Sequence, residues 1–355
     1  MSVVPAKVST ASRAVPILSR CIRKKVKIMR SFIQAIAGGL IVSLLSFLPY
    51  AYGAALTSTK PFRFVLPIAA GGSADIAARA IARELARMWK QPVIVDNRPG
   101  GGTTVATHAI ASAQPDGYTF GWVITAHAIN PSLYPKLPYD TVRDFAGVTL
   151  VYQLRALITA APSFPASTVN ELITLAKARP GQLIYASPAT GSGMHLLGEL
   201  FKLKYGVDMM HIGYKGGSTA HPDVMSGRVP IMFDTLPGAL PHIKSGKLKV
   251  IAIISETPVA GFNEFPVLAG LLPAGASTGW NGIVVPGRTP GAVVAKLNAD
   301  IIAVVRSREI QESLAALTVE TITSTPEKFD AFIREDIARW ADVVKRAGIK
   351  LDQGN

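Results

Sequence analysis

Phe62-Arg63-Phe64-Val65-Leu66-Pro67-Ile68-Ala69-Ala70-Gly71-Gly72-Ser73-Ala74-Asp75 compresses a strand, a turn and a helix start into fourteen residues. Phe62 to Pro67 is apolar and β-prone, Gly71 and Gly72 free the backbone, Ser73 can cap, and an amphipathic pattern then runs from Ala74 to Trp89. Backbone N–H groups at a helix start attract anions, so the turn is either a carboxylate-sized binding site or simply a tight connection. It has neither the Gly-Lys-Ser/Thr ending of a phosphate loop nor a Gly-x-Gly-x-x-Gly run, which disfavours a nucleotide.

The same rhythm continues outward. Further strands are predicted at Pro92 to Val95, Tyr118 to Thr125, Leu183 to Ala186, Met209 to Ile212, Pro230 to Phe233, Lys249 to Ile254 and Gly282 to Val285. Helices are predicted at Val169 to Ala178, Met194 to Tyr205, Thr219 to Ser226, Pro290 to Arg306 and Pro326 to Arg346. In the last, Thr325 can cap and Phe329, Phe332, Ile333, Ile337, Trp340 and Val344 recur at helical spacing. Alternating strands and helices mean an α/β protein with mainly parallel sheets flanked by helices. The extended stretches Ala161 to Pro165 and Val285 to Pro290 read as an outward and a return crossing between two lobes. Lobe 1 is then discontinuous, 56–162 plus 286–355, and lobe 2 is 163–285.

Other strand ends repeat the opening pattern. Ser187-Pro188-Ala189-Thr190-Gly191-Ser192-Gly193 leads to a helix carrying His195, and His211-Ile212-Gly213-Tyr214-Lys215-Gly216-Gly217-Ser218 does the same. Thr125-Ala126-His127 and Phe233-Asp234-Thr235 reach the same crevice, because ligands of open α/β sheets collect at the carboxyl ends of strands. The candidate contacts are Ala70, Gly72, Ser73, Thr125, His127, Ser187, Thr190, Gly191, Ser192, Tyr214, Lys215, Gly216 and Asp234. Each has a plainer reading as well: Lys215 as a solvated surface charge, Asp234 as a turn cap, His127 as a polar loop residue. Ser192 and His195 are three residues apart outside a Gly-x-Ser-x-Gly context, which does not make a catalytic pair. The six histidines show no metal-binding spacing, and no cofactor is expected.

Residues 1–55 read differently. A basic run ending at Arg30 precedes the apolar stretch Ile33 to Leu48, and small residues follow at Ala51, Gly53 and Ala54, the order of a cleaved export signal. A membrane anchor is the alternative, but the stretch is short and interrupted by Ser43, Ser46 and Pro49. Met29 is a second possible start. The formal charge of +14 includes eight Lys or Arg from this segment, leaving +6 for the remainder, too little for a nucleic-acid surface. Cys21, the only cysteine, also lies here, so no disulfide is expected downstream.

Several stretches together resemble the Bug family of periplasmic receptors, the solute-binding component of tripartite tricarboxylate transporters. They are Lys60-Pro61-Phe62-Arg63 with the Gly71 to Asp75 turn, Val95-Asp96-Asn97-Arg98-Pro99-Gly100, Gln114-Pro115-Asp116-Gly117-Tyr118-Thr119, Asn130-Pro131-Ser132-Leu133-Tyr134, Leu137-Pro138-Tyr139-Asp140, Tyr214-Lys215-Gly216 and Met232-Phe233-Asp234. The resemblance implies a two-lobed type II periplasmic-binding (Venus-flytrap) fold that closes on a small carboxylate held by backbone amides. It also implies a monomer that delivers its ligand to integral-membrane transporter components in the periplasm, without catalysis. Gly100 to Ala106, the Ser187 to His195 loop with its Pro188 and Met194, and His221-Pro222 depart from the family pattern, which bears on ligand identity. A receptor signalling to a membrane sensor shares these features; a hydrolase using Ser192 would need a base and nucleophile in reach.

Overall fold

Two six-stranded sheets organise the chain, and the computed structural model describes residues 60–259, 261–272 and 278–349. The predicted export signal therefore lies outside the described residues. In chain order the strands are β1 (Phe62–Leu66), β2 (Val93–Asn97), β3 (Thr119–Ile124), β4 (Phe145–Leu154), β5 (Ala156–Ala160), β6 (Leu183–Ser187), β7 (Met209–Gly213), β8 (Ile231–Thr235), β9 (Lys249–Ile254), β10 (Val267–Leu268), β11 (Gly279–Pro286) and β12 (Glu320–Thr321). The helices are α1 (Ser73–Trp89), α2 (Thr104–Ala111), α3 (Ala126–Leu133), α4 (Val169–Ala178), α5 (Gly193–Tyr205), α6 (Gly217–Met225), α7 (Leu236–Lys244), α8 (Gly291–Val305), α9 (Arg308–Ala316) and α10 (Pro326–Ala347).

The first sheet has the order β12-β4-β11-β3-β1-β2 and the second β10-β9-β5-β8-β6-β7. Within the first, β2, β1 and β3 are parallel; within the second, β7, β6 and β8 are. Both sheets also carry antiparallel pairs, although in the second only β5 runs against the other strands. β11 runs antiparallel to β3 and β4, and β5 antiparallel to β8 and β9, because the strands entering a lobe from its neighbour run against the βαβ units already there.

Strand pairing also moves both crossings. Ala156–Ala160, expected in lobe 1, pairs with β8 and β9 of the second sheet, so the chain crosses at Arg155. Gly279–Val285, expected in lobe 2, pairs in the first sheet, so the return lies at Thr278. Residues 145 to 161 form one apolar, β-prone run with no glycine or proline at the point of crossing, and so no turn signal marked it. Thr278 binds the two crossings together. Its hydroxyl donates to Leu154 O (2.8 Å) and accepts from Ala156 N (3.0 Å).

Packing follows the residue pattern. Ala77, Ala78, Ile81 and Leu85 form the buried stripe of α1, and Lys90 ends it in a left-handed conformation. Phe64 and Phe120 stack across β1 and β3 with centroids 4.5 Å apart. Gly121 lets α2 lie close on β3, since a Cβ there would sit 1.9 Å from Ile110 Cδ1. Helix α10 is the apolar cover of β4, with Phe329, Ile333 and Trp340 buried. Its Asp336 accepts hydrogen bonds from Trp280 Nε1 (2.7 Å) and Trp340 Nε1 (3.1 Å) and pairs with Arg339. Burial pushes that carboxyl up, against those partners. Trp280 is thus covered by α10. Among the described residues no helix is long and apolar enough to cross a membrane.

Candidate ligand-binding cleft

Each lobe ends three neighbouring parallel strands in turns that start helices. In the first lobe these turns follow β2, β1 and β3; in the second they follow β7, β6 and β8. The two sets meet at the crossings. Gly193, the first residue of α5, lies against the first lobe, where a methyl group in its place would be 3.6 Å from both Thr125 Cγ2 and Thr278 O. Thr125 Oγ1 in turn accepts from Trp280 N at 3.0 Å. The strand-end turns of the two lobes thus approach one another beside the crossings, where Gly193 meets Thr125 and Thr278.

On the first-lobe side, Ala70, Gly71 and Gly72 are exposed and Ser73 half-buried. Gly72 precedes α1 with ordinary extended backbone (φ −78°, ψ 167°), makes no side-chain cap, and has no protein atom within 4 Å of where a Cβ would be. That side of Gly72 is open, and the first N–H groups of α1 have no capping side chain. Asp75 stabilises the turn from beneath. Its oxygens accept from Gly71 N (2.9 Å), Arg79 Nε (2.9 Å) and Asn97 Nδ2 (2.9 Å). Burial alone would raise this carboxyl, but those hydrogen bonds hold it below the usual range. After β2, Gly100, Gly101, Gly102 and Thr103 all have positive φ. Asn130 Nδ2 and Tyr134 Oη tie that loop by donating to the carbonyls of Gly102 and Gly101.

On the second-lobe side, the turns after β6 and β7 are zipped together. Tyr214 N donates to Ser187 O (3.1 Å) and Gly216 N to Pro188 O (2.8 Å). Gly213 permits this approach, because a Cβ there would fall 2.1 Å from Thr190 Oγ1. Ser192 caps α5 by accepting from His195 N, while its hydroxyl donates to Ala189 O (2.6 Å). Behind the turn, the rings of His195 and His211 stack with centroids 3.7 Å apart. Gly191 N donates to His195 Nδ1 (3.1 Å), and His211 Nε2 lies 2.8 Å from Ser187 Oγ. Burial pushes His195 down to about 4 and His211 to about 3, so the pair is neutral at pH 7.

The predicted contacts separate into two groups. Ala70, Gly72, Ser73, Thr190, Lys215 and Gly216 are exposed or half-buried at the strand ends, and Lys215 has no hydrogen bond or ion pair among the described residues. The others are engaged inside their own lobes, Gly191 through its backbone N–H, except His127, whose two buried ring nitrogens have no hydrogen-bond partner among the described residues. Ser187 is buried with its hydroxyl donating to Ala189 O, Gly191 holds His195, Thr125 holds Trp280, and Ser192 is a cap. Tyr214 Oη donates to Asp223 Oδ2 (2.7 Å), and burial together with that carboxylate pushes the phenol up to about 12. Asp234 is 1% exposed, accepting from Thr235 N (2.7 Å) and facing His221 Nε2 (2.7 Å). His127 is not a loop residue: it lies in α3, 1% exposed, edge-on to Phe145 at 4.9 Å, and burial pushes it down to about 4. Asp75, Asn97, Gly193 and His221 were missed as structural partners of the cleft. Their types are ordinary, and only the folded chain shows which turns they hold.

Comparison with known proteins places the whole described fold among two-lobed periplasmic receptors. The model of the tripartite tricarboxylate transporter family receptor matches residues 77–349. Protein BugT of Bordetella pertussis is 34% identical over 295 residues, covering 82% of this chain and 90% of its own. Among solved structures, Rpa4515 of Rhodopseudomonas palustris with adipate is 31% identical with a TM-score of 0.75, covering 82% of this chain and 98% of its own. MatC from the same organism, with bound malate, is 29% identical with a TM-score of 0.73, covering 80% and 98%.

Proposed function

This chain belongs to the tripartite tricarboxylate transporter receptor family, and from that premise we propose that it captures a small carboxylate in the interlobe cleft and delivers it to a membrane transporter. The reading includes export to the periplasm by a cleaved signal within residues 1–55, action as a monomer, and binding without turnover. One observation supports it: α1 starts uncapped at Gly72, and the start of α5 at Gly193 comes up against Thr125 at the end of β3 in the other lobe. N–H groups at helix starts suit a carboxylate, and donors that are already fixed cost little to organise on binding. Hinge motion at Arg155 and Thr278 then closes the lobes over the ligand. The relatives bound to adipate and malate support a carboxylate as the ligand class.

A thermal-shift screen of residues 56–355 against mono-, di- and tricarboxylates, aromatic acids, amino acids and neutral sugars tests the proposal. A ligand at a hundredfold excess over its Kd stabilises the native state by about 2.7 kcal/mol, a shift of a few degrees at this size. A response confined to carboxylates is expected. A response only to sugars, or to none of these compounds, overturns the proposal.

A further inference from the structure

Two stacked histidines hold the turn between β6 and α5, and the turn in turn fixes where each carries its proton. Within the turn, Ala189 O accepts from Ser187 Oγ (2.9 Å), Ser192 Oγ (2.6 Å) and Ser192 N (3.1 Å). The hydroxyl proton of Ser187 is therefore committed to Ala189 O, and His211 Nε2, 2.8 Å away, donates to Ser187 Oγ. Gly191 N donates to His195 Nδ1 at 3.1 Å. A backbone N–H can only donate, so Nδ1 of His195 is unprotonated and the neutral ring carries its proton on Nε2.

The two rings answer a proton differently. On His211 it goes to Nδ1 and leaves the bond to Ser187 intact. On His195 it goes to Nδ1 and sets one donor against another, so the bond to Gly191 is lost. Gly191 is buried, and its N–H finds a new acceptor only if the turn moves. Two residues on, Gly193 lies against Thr125 and Thr278 of the first lobe, so a displaced turn disturbs the place where the lobes meet. The rings stack with centroids 3.7 Å apart and planes 20° apart, which makes a second cation beside the first unfavourable. The charged and titratable groups around them are Tyr185 of β6, whose hydroxyl donates to Glu199 Oε1 (2.6 Å), and Glu199 and Lys202 of α5, paired at 3.0 Å. Burial outweighs the pull of Glu199 and keeps His195 neutral at pH 7.

We propose that His195 is the positioning residue of this second-lobe turn: its unprotonated Nδ1 keeps Gly191, and with it the Ala189 to Gly193 turn, in the conformation that takes the solute, and a proton there releases both. The proposal rests on the carboxylate-receptor reading above and adds proton-linked release to the same cleft. Binding needs the unprotonated ring, so affinity is full above the His195 midpoint and falls below it by up to about tenfold per pH unit.

Two measurements from pH 7.5 to pH 4 test it in the parent, His195→Asn and His195→Leu: amide proton–nitrogen spectra of the free protein, and calorimetric titration with adipate and with malate. Asparagine offers an oxygen where histidine has Nδ1, and that oxygen does not titrate; leucine offers no acceptor. In the parent the Gly191 amide resonance moves with the protonation of His195, and in His195→Asn it does not. The ratio of parent to His195→Asn affinity, in which titration of the acid itself cancels, falls through the same midpoint. At pH 7.5 His195→Asn restores affinity to within about threefold of the parent, whereas His195→Leu binds about tenfold more weakly or worse. A Gly191 resonance indifferent to His195 protonation, or a His195→Leu protein that binds as well as His195→Asn, overturns the positioning role. Should His195→Leu fail to fold, the pH profile of the parent against His195→Asn decides alone. Failure of adipate, malate and every other acid of the screen to bind overturns instead the carboxylate reading, while the Gly191 resonance still decides whether His195 holds the turn.

Discussion

Replacing Gly72 by leucine separates binding from folding more cleanly than any other single change in the cleft. With φ at −78° and ψ at 167° the backbone is in a region open to every residue, and no protein atom lies within 4 Å of the new Cβ. Leucine is a poorer residue than glycine just before a helix, by up to about 1 kcal/mol, while the loss of glycine's freedom in the unfolded chain returns about 0.4–1 kcal/mol. Net stability should therefore change by less than about 1 kcal/mol. The side chain, however, projects where a carboxylate would reach the first N–H groups of α1. Losing two hydrogen bonds to a charged group, at about 1.5–3 kcal/mol each, weakens binding by about 3–6 kcal/mol, or roughly 10² to 10⁴-fold. Titration calorimetry with the best ligand of the screen, alongside thermal denaturation, reads both quantities. A folded Gly72→Leu protein that binds within threefold of the parent refutes the placement of the carboxylate. The neighbouring Gly71 gives no such separation, since its φ of +91° would strain any side chain.

Three further outcomes follow from named contacts. Tyr214→Phe removes a hydrogen bond to Asp223 and should lower stability by about 1 kcal/mol in urea denaturation while changing ligand affinity less than twofold, because the hydroxyl is already engaged away from the ligand. Ser192→Ala loses the cap of α5 and should cost about 0.5–2 kcal/mol of stability by the same assay. His127 titrates near 4 in the fold against 6.5 when unfolded, so the unfolded chain takes up a proton first and stability falls as pH drops from 6.5 toward 4, by about 3 kcal/mol for this group. His195 and His211 act in the same direction, and His127→Leu should flatten the dependence measured from urea midpoints at pH 7 and pH 4.5.

Much of this architecture was legible where chain-local physics decides it. Lys249 to Ile254 and Val169 to Ala178 occupy the predicted spans, because their apolar spacing and flanking turns agree. Helix α10 does so within one residue, with Thr325 capping Lys328 N as its sequence implied. What escaped was non-local. β4 and β5 were not predicted as strands, and only their pairing with different sheets shows that the chain changes lobes at Arg155. Helices α3 and α7 contain Pro131 and Pro241, which masked them. In the cleft, the glycine turns were readable from composition, whereas the fate of each polar side chain was not. Ser187, Tyr214 and Asp234 were equally good ligand contacts until His211, Asp223 and His221 proved to be their partners. A backbone-lined site leaves little side-chain code, and so sequence locates the cleft better than it identifies the solute.

The crystal structure of the protein with the strongest ligand of the carboxylate screen tests the central claim most directly. The account predicts the ligand carboxylate between the Gly72-Ser73 turn of the first lobe and the Thr190 to Gly193 turn of the second, within hydrogen-bond reach of backbone N–H groups. A ligand held on one lobe alone, or bound away from the strand ends, would contradict it.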